Sequence, residues 1–333
     1  MTDAPKVSIV LPFHNSESTL EKAIQSIVGQ FFIDFELLLI DNRSTDGSSA
    51  IAEEFSKRDS RIQLITENQI GVVFAANNGM SKSRGDYIAR MDADDISLPN
   101  RIRDQVKVLD TQPEIGLVSG QVRYAGDDSN GGFVRYVHWS NGISKEEELY
   151  LNQFVEYPIV NPSIMFRREL YEKYGGYEDG SFPEDYEFFL RLQSYNIRMT
   201  KTDSVVLEWN DLPHRLTRTS DKYTQEAFFK IKAKYLAKWL KKNNPRHPRV
   251  MIWGGGKLAR KRSKYLQQYG IVIDSFIDVR KSNKPELIYY KDFDLFKSAF
   301  ILSYVSSWDA RDLIRSFLNE HACIEGKDYL ICG

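Results

Sequence analysis

Three carboxylates, Asp92, Asp94 and Asp95, stand within four residues directly after the apolar run Tyr87-Ile88-Ala89-Arg90-Met91. Like charges this close raise one another's pKa unless a cation or hydrogen bonds offset them. Aspartate is also a common turn former and helix cap, and Asp95 is expected in that role, opening the helix after Pro99. Asp92 and Asp94 fall where a parallel strand should end, the edge at which open α/β sheets bind ligands. A divalent-cation site is predicted there. A second acidic pair, Glu184-Asp185, follows Pro183 at the start of a predicted helix. Carboxylates in a first turn also offset the helix dipole, so this pair reads as structure or as chemistry. Towards the C-terminus, Gly254-Gly255-Gly256-Lys257-Leu258-Ala259 fits G-x-G-x-x-A, with Asp278 about twenty residues on. Gly254, Gly256 and Asp278 are therefore nucleotide-site candidates, against the alternative of glycines kept for a tight turn in a packing or assembly domain.

The elements that must position these groups show as alternating runs. Residues 7–11, 35–40, 62–65 and 87–91 read as strands, with helices at 20–28, 49–57 and 72–83 between them. That alternation predicts a doubly wound parallel sheet. A helix at 99–109, a strand at 115–124, a returning strand at 133–138, a helix at 145–154 and a strand at 163–167 follow. Beyond a linker at 243–248, strands at 250–253, 271–277, 300–305 and 329–332 with a helix at 308–321 predict a small Rossmann-like sheet.

A chain of 333 residues fits two domains, or one with an appendage, and 42% hydrophobic content supplies a sizeable core. The net charge of −1 names no polyanionic partner, and no nucleic-acid motif is present, so no nucleic-acid partner is expected. Two cysteines, Cys323 and Cys332, exclude a disulfide scaffold and argue against a cysteine zinc site. No signal-like segment opens the chain and no apolar run reaches the ~20 residues that span a bilayer. A protein of the reducing cytoplasm is expected.

Several separated motifs then fall in a familiar order: Ile9-Val10-Leu11-Pro12-Phe13-His14-Asn15, the loop from Asp41, Gly71 with Asn77, Gly85-Asp86-Tyr87-Ile88, Asp92-Ala93-Asp94 and Glu184-Asp185. Together they resemble the inverting glycosyltransferases of family 2, over residues 7 to roughly 220. A bare D-x-D is common by chance; the ordered set is specific. The resemblance implies a GT-A fold, a nucleotide-sugar donor (a uridine diphosphate sugar), a Mn2+ or Mg2+ ion, and a hydroxyl acceptor in surface polysaccharide or glycolipid synthesis. It makes Asp94 the direct metal ligand and places Asp92 on the ribose or the metal shell. Asp41 would accept a hydrogen bond from the nucleobase, with Pro12 and Phe13 lining its pocket. Asn15, Gly71 and Asn77 are further candidates there, whose structural alternatives are an Asx-turn, a loop glycine and a helix polar face.

The same resemblance makes Asp185 the base that takes the acceptor's proton, in one inverting displacement with the oxocarbenium character known from glycoside hydrolysis. Glu184 orients the acceptor or caps its helix. Residues 209–220 resemble the closing loop of a bacterial subgroup with a W-x-D-x-P-x-R-L-S/T-R pattern. Arg215 and Arg218 would there meet the diphosphate, as guanidinium forks suit phosphate oxygens. His214 is a lesser metal-ligand candidate, and Asn161 and Trp209 are candidates for the acceptor side. The expected domains are 1–222 for transfer, a basic connecting helix at 223–244, and 245–333.

On that helix Phe228, Ile231, Tyr235, Leu236, Trp239 and Leu240 share one side. Thirteen lysines and arginines fall between Lys230 and Lys264, without an acidic residue from Ala227 to Ile273. Either the stripe packs on the transferase domain with its lysines solvated, or the 228–242 face meets anionic lipid. A competing function is a catalytically silent sensor that binds a nucleotide at the C-terminal glycine loop. A nucleotidyltransferase would need a glycine- and lysine-rich loop where the chain has Pro12-Phe13-His14-Asn15.

Overall fold

Strands that are apolar at nearly every position need cover on both faces, which parallel sheets provide. β1 (Val7–Phe13) and β2 (Phe35–Asp41) are buried along their whole length. In the computed structural model, which describes residues 4–127, 131–212, 215–295 and 297–333, they join β3 (Ile62–Thr66), β4 (Tyr87–Arg90), β5 (Ile96–Ser97), β6 (Ile115–Ala125), β7 (Met165–Arg167) and β8 (Arg198–Asn210). The order across this eight-stranded sheet is β3-β2-β1-β4-β7-β6-β8-β5. β1 to β4 run parallel, β7 runs antiparallel to both neighbours, and β6 and β8 are parallel. The strand order reverses between β1 and β4, so the carboxyl ends of these two flank the crevice where such sheets bind ligands. The turn before β4 presses on β1: a Cβ at Gly85 would lie 2.7 Å from the Ser8 nitrogen, which only glycine avoids.

These elements belong to a unit formed by Met1–Leu149, Ile159–Asp179 and Asn196–Thr219. The second unit comprises Tyr150–Pro158, Gly180–Tyr195 and Ser220–Gly333. Its core is an all-parallel sheet of β9 (Arg249–Trp253), β10 (Val272–Asp278), β11 (Leu287–Tyr289), β12 (Ile301–Ser303) and β13 (Tyr329–Ile331) in the order β11-β10-β9-β12-β13. In the same unit the helix Glu184–Ser194 packs along the helix Gln225–Asn243. The Tyr186 and Phe228 rings lie 5.6 Å apart, Tyr235 donates its hydroxyl to Glu187, and Lys242 Nζ donates to the Ser194 carbonyl at 3.3 Å. Ile231, Tyr235, Leu236, Trp239 and Leu240 are all buried, and so is Lys232. Among the described residues no helix is long and apolar enough to cross a membrane.

Three local expectations are corrected. Residues 133–138 are not a strand but part of the helix Gly131–Asn141; their aromatic and β-branched content suits a strand, yet Phe133, Tyr136, Val137 and Ser140 recur at helical spacing. β8, thirteen residues long, has no counterpart in the sequence reading, because charged residues break its apolar pattern. Asp95 does not open a helix: the helix Arg101–Thr111 starts after Asn100, and Asp95 is fully buried upstream of it.

Candidate active site

The acidic loop leaves β4 at Arg90, whose buried guanidinium donates to the carbonyls of Val10 (3.1 Å) and Met91 (2.8 Å) and to Asp92 Oδ1 (2.7 Å). Burial is the largest influence and works against that charge, but Asp92 and Tyr177 together hold the guanidinium above its ordinary value. Below it Arg101, wholly buried, donates to the Arg90 carbonyl at 2.6 Å and Gln105 Oε1 at 3.2 Å; burial pulls its pKa down to about 9. On this basic floor, carboxylate oxygens of Asp92, Asp94 and Asp95 lie within 4.8 Å of one another. Asp95 Oδ1 accepts the Asn210 N–H at 2.9 Å, while its Oδ2 is buried with no hydrogen-bond partner. Burial, then the charges of Asp94 and Asp92, push its carboxyl well above the usual range. An orphaned carboxylate oxygen in an all-oxygen cluster fits a hard divalent cation, which would supply the missing partner and offset the repulsion.

The unforeseen strand β8 completes this loop. β5 pairs with it, Ile96 opposite Glu208 and Ser97 opposite Leu207, which brings Asn210 beside the acids. The Asn210 side chain donates to the Asp94 backbone carbonyl at 2.7 Å, and the Asn210 backbone carbonyl accepts from Arg215 at 2.7 Å. Arg215 lies over the Trp209 ring at 4.3 Å, and its positive charge tempers the rise at Asp95. Arg218 is engaged differently: it pairs with Asp211 at 2.6 Å, and Tyr124 donates to the same carboxylate at 2.7 Å. Burial opposes the Asp211 charge, but these two hydrogen bonds hold its carboxyl below the ordinary range. Trp209 packs among Tyr124, Phe133 and Tyr136, at 6.1, 5.6 and 6.0 Å between ring centres. His214 lies outside the described residues.

At the carboxyl edge of β1 and β2, buried Phe13 sits opposite Asp41 in register. Asp41 Oδ1 accepts the Ser44 N–H at 2.8 Å. Asn15, in the left-handed region at φ 50°, accepts the Thr45 N–H at 2.8 Å, so it ties two loops together. Asn42 was not anticipated: it accepts the Gly71 N–H at 2.7 Å and donates to the carbonyls of Glu67 and Gln69. Gly71 itself has φ +138°, a conformation side chains resist. The Asn77 amide is occupied on both sides by the Tyr177 backbone, at 2.9 and 2.8 Å, and Asn161 accepts the Tyr177 hydroxyl at 3.0 Å. Pro12, Phe13, Asn15, Asp41 and Gly71 thus gather at one edge, whereas Asn77 and Asn161 hold Tyr177.

In the second unit Asp185 is half-buried in the first helical turn and accepts the Tyr186 N–H at 2.7 Å. Glu184 is buried and accepts the Tyr223 hydroxyl at 2.7 Å. Asp278 accepts the N–H of Gly255 and that of Arg280, each at 2.9 Å, folding itself onto the glycine loop. Gly254 has φ +126° there, and Gly256 leads into the helix Lys257–Gln267.

A β1-to-β4 parallel core that turns mixed at β7, with its acids at the point of strand reversal, defines a GT-A glycosyltransferase fold. The model of Glycosyl transferase family 2 matches residues 8–175, and the chain belongs to that family. It is 30% identical over 216 residues to an uncharacterized glycosyltransferase of Methanocaldococcus jannaschii, covering 64% of this chain and 73% of that one. It is 27% identical over 240 residues to the O-antigen biosynthesis glycosyltransferase WbnJ of Escherichia coli, covering 71% and 89%. Among solved structures, S. aureus TarS 1–349 in complex with UDP-GlcNAc superposes with a TM-score of 0.55 at 15% identity, over 79% of this chain and 71% of that one. The mannosyltransferase PcManGT of Pyrobaculum calidifontis, in complex with GDP-Man and Mn2+, gives a TM-score of 0.50 at 19% identity, over 81% and 74%.

Proposed function

We propose that this glycosyltransferase moves a sugar, with inversion, from a uridine diphosphate donor to a hydroxyl acceptor of a surface polysaccharide or glycolipid, and that it requires Mn2+ or Mg2+. The observation that carries the metal requirement is the buried, unpartnered Oδ2 of Asp95 inside the acidic cluster. A bound cation neutralises the departing diphosphate as a Lewis acid, without proton transfer. Asp94 would hold that ion, with Asp92 beside it on the donor's ribose. Asp41 would accept from the base over Phe13 and Pro12, and Arg215 would offset phosphate charge. Asp185 is proposed to take the acceptor hydroxyl's proton as the new glycosidic bond forms. Arg218, already engaged by Asp211, would position the loop that carries Arg215. The nucleotide sugars bound by TarS and PcManGT and the O-antigen role of WbnJ support donor and pathway class.

Transfer is assigned to residues 1–222, with 223–244 connecting to 245–333. The packing of Gln225–Asn243 gives that helix a structural role, since it holds the helix that carries Asp185. With its apolar side buried, a peripheral contact with anionic membrane would be electrostatic, through Lys230, Lys238, Lys241 and Lys242. Salt-sensitive flotation with anionic vesicles would support that contact and a cytoplasmic-face location; no binding at low salt would remove it. The central experiment is turnover of a panel of nucleotide sugars with and without Mn2+. UDP-sugar turnover that vanishes on chelation and in Asp94→Ala is expected; undiminished turnover in both would overturn the proposal.

A further inference from the structure

Among the described residues, buried side-chain polar atoms without a hydrogen-bond partner fall in two groups. Arg90 Nε, Asp95 Oδ2 and Trp209 Nε1 belong to the acidic loop and β8; Ser303 Oγ and both Nε and Nη1 of Arg311 belong to the connection from β12 into the helix Trp308–Glu320. The first group lies in the candidate active site. The second asks for a ligand of its own, because an unpaired guanidinium taken from water is costly unless something compensates it.

We propose that the second unit carries a binding site for a phosphate-bearing small anion, walled by Arg311, Arg262 and Lys232. Each comes from a different helix, and the three are only 6%, 7% and 3% exposed. Arg311 lies over the Trp308 ring at 4.4 Å, a packing that leaves guanidinium N–H groups at its edge for an anion. Arg262 lies over the Phe229 ring at 4.0 Å and uses Nη2 on Gln225 at 2.9 Å. Lys232 lies over the same ring at 4.2 Å and donates to the carbonyls of Val155 and Cys332 at 3.0 Å each. Burial above all pulls Lys232 down to about 7, helped by Arg311 and Arg262, and pulls Arg311 to about 10, helped by Arg315 and Arg262.

The carboxylates that act on them are Glu156 and Asp312, the second exposed and 3.7 Å from Arg315. Glu156 is exposed, and the protein around it pushes its carboxyl up while Lys232 and Arg311 work against that rise. Arg315, the next basic residue, is already held by Glu325 at 2.9 Å. With Asp312 exposed and shared with Arg315, three buried cations face Glu156 and leave positive charge for an anion, and guanidinium forks match phosphate oxygens. The location agrees. In the order β11-β10-β9-β12-β13 the strands reverse between β9 and β12, and ligands of open parallel sheets bind beyond the strand ends at such a point. A Cβ at Gly254 would lie 3.5 Å from Val305 Cγ2, so the glycine loop and the β12 connection adjoin. Asp278 occupies the Gly255 N–H, which moves the anion from the glycine loop to the Arg311 side of this crevice.

The test is thermal unfolding of the full chain in chelator, titrated with inorganic phosphate and, separately, with adenosine monophosphate. A rise in melting temperature is expected in wild type and in Asp94→Ala, but not in Arg311→Met. In phosphate-free buffer Arg311→Met should melt at or above wild type, since it removes buried N–H groups that lack hydrogen-bond partners. Arg262→Gln, a milder change, should raise the half-saturating phosphate concentration at least tenfold. A larger response to the nucleotide assigns an organic phosphate, and equal responses assign the free ion. No rise with either probe, or responses left intact by both variants, would overturn the site.

Discussion

Asp95 is a carboxylate sealed from solvent with one oxygen unmet, and burial with the charges of Asp94 and Asp92 makes its ionised form costly. Asp95→Asn keeps an acceptor for the Asn210 N–H and removes the repulsion with Asp92 and Asp94. The cation-free protein should therefore unfold at a higher temperature than wild type, while the stabilisation by Mn2+ shrinks by tenfold or more in half-saturating concentration; a thermal-shift series reads both. Asp185→Asn should behave otherwise. A general base contributes roughly 10²–10⁴ in rate, so kcat should fall in that range with the donor KM and the Mn2+ response unchanged. A loss of donor affinity instead would place Asp185 outside the proton transfer.

At the scale of elements, β8 converts a loop of acids into a site. Its terminal Asn210 bonds both Asp94 and Asp95, and Trp209 fills the aromatic packing formed with β6 and the helix Gly131–Asn141. Asn210→Ala should weaken Mn2+ binding through loss of the Asp94 tie, with little change in urea stability, because the backbone N–H to Asp95 survives. Trp209→Ala should cost on the order of 3–5 kcal/mol, the usual range for deleting a buried aromatic, seen as a lowered urea midpoint. It should also disorder Arg215, which rests on that ring, and so raise the donor KM.

Over the whole molecule, each unit contains a buried lysine whose pKa burial lowers to about 7: Lys201 in the first and Lys232 in the second. Unfolded, both titrate near the ordinary value of 10.5. Between these limits the unfolded chain binds more protons than the folded one, so stability rises with pH across the window and is lowest below about 7. Each lysine contributes a slope of at most ~1.4 kcal/mol per pH unit. Lys201→Met should remove its share between pH 7 and 10, measured by urea unfolding at several pH values; an unchanged slope would mean that this ammonium keeps its ordinary pKa when folded.

Much of the parallel core was legible because strands buried on both faces read as near-continuous apolar runs, as in Val7–Phe13 and Phe35–Asp41. The motifs at their ends follow from that, since a parallel strand can only deliver loop residues to its carboxyl edge. What the sequence hid is equally physical. Arg198–Asn210 carries charges on its exposed side and pairs at the far edge with β5, so its strand character depends on partners about a hundred residues away. Asp95 looked like a surface cap until that pairing buried it, and the Tyr177 backbone that meets both sides of the Asn77 amide lies 100 residues further along the chain. The unpaired Arg311 had no local signature at all. Residue order determined the family and the motif positions, because those depend on local pattern; which polar atoms were left without partners was decided only by tertiary packing, because a missing hydrogen bond is a property of neighbours distant in the chain.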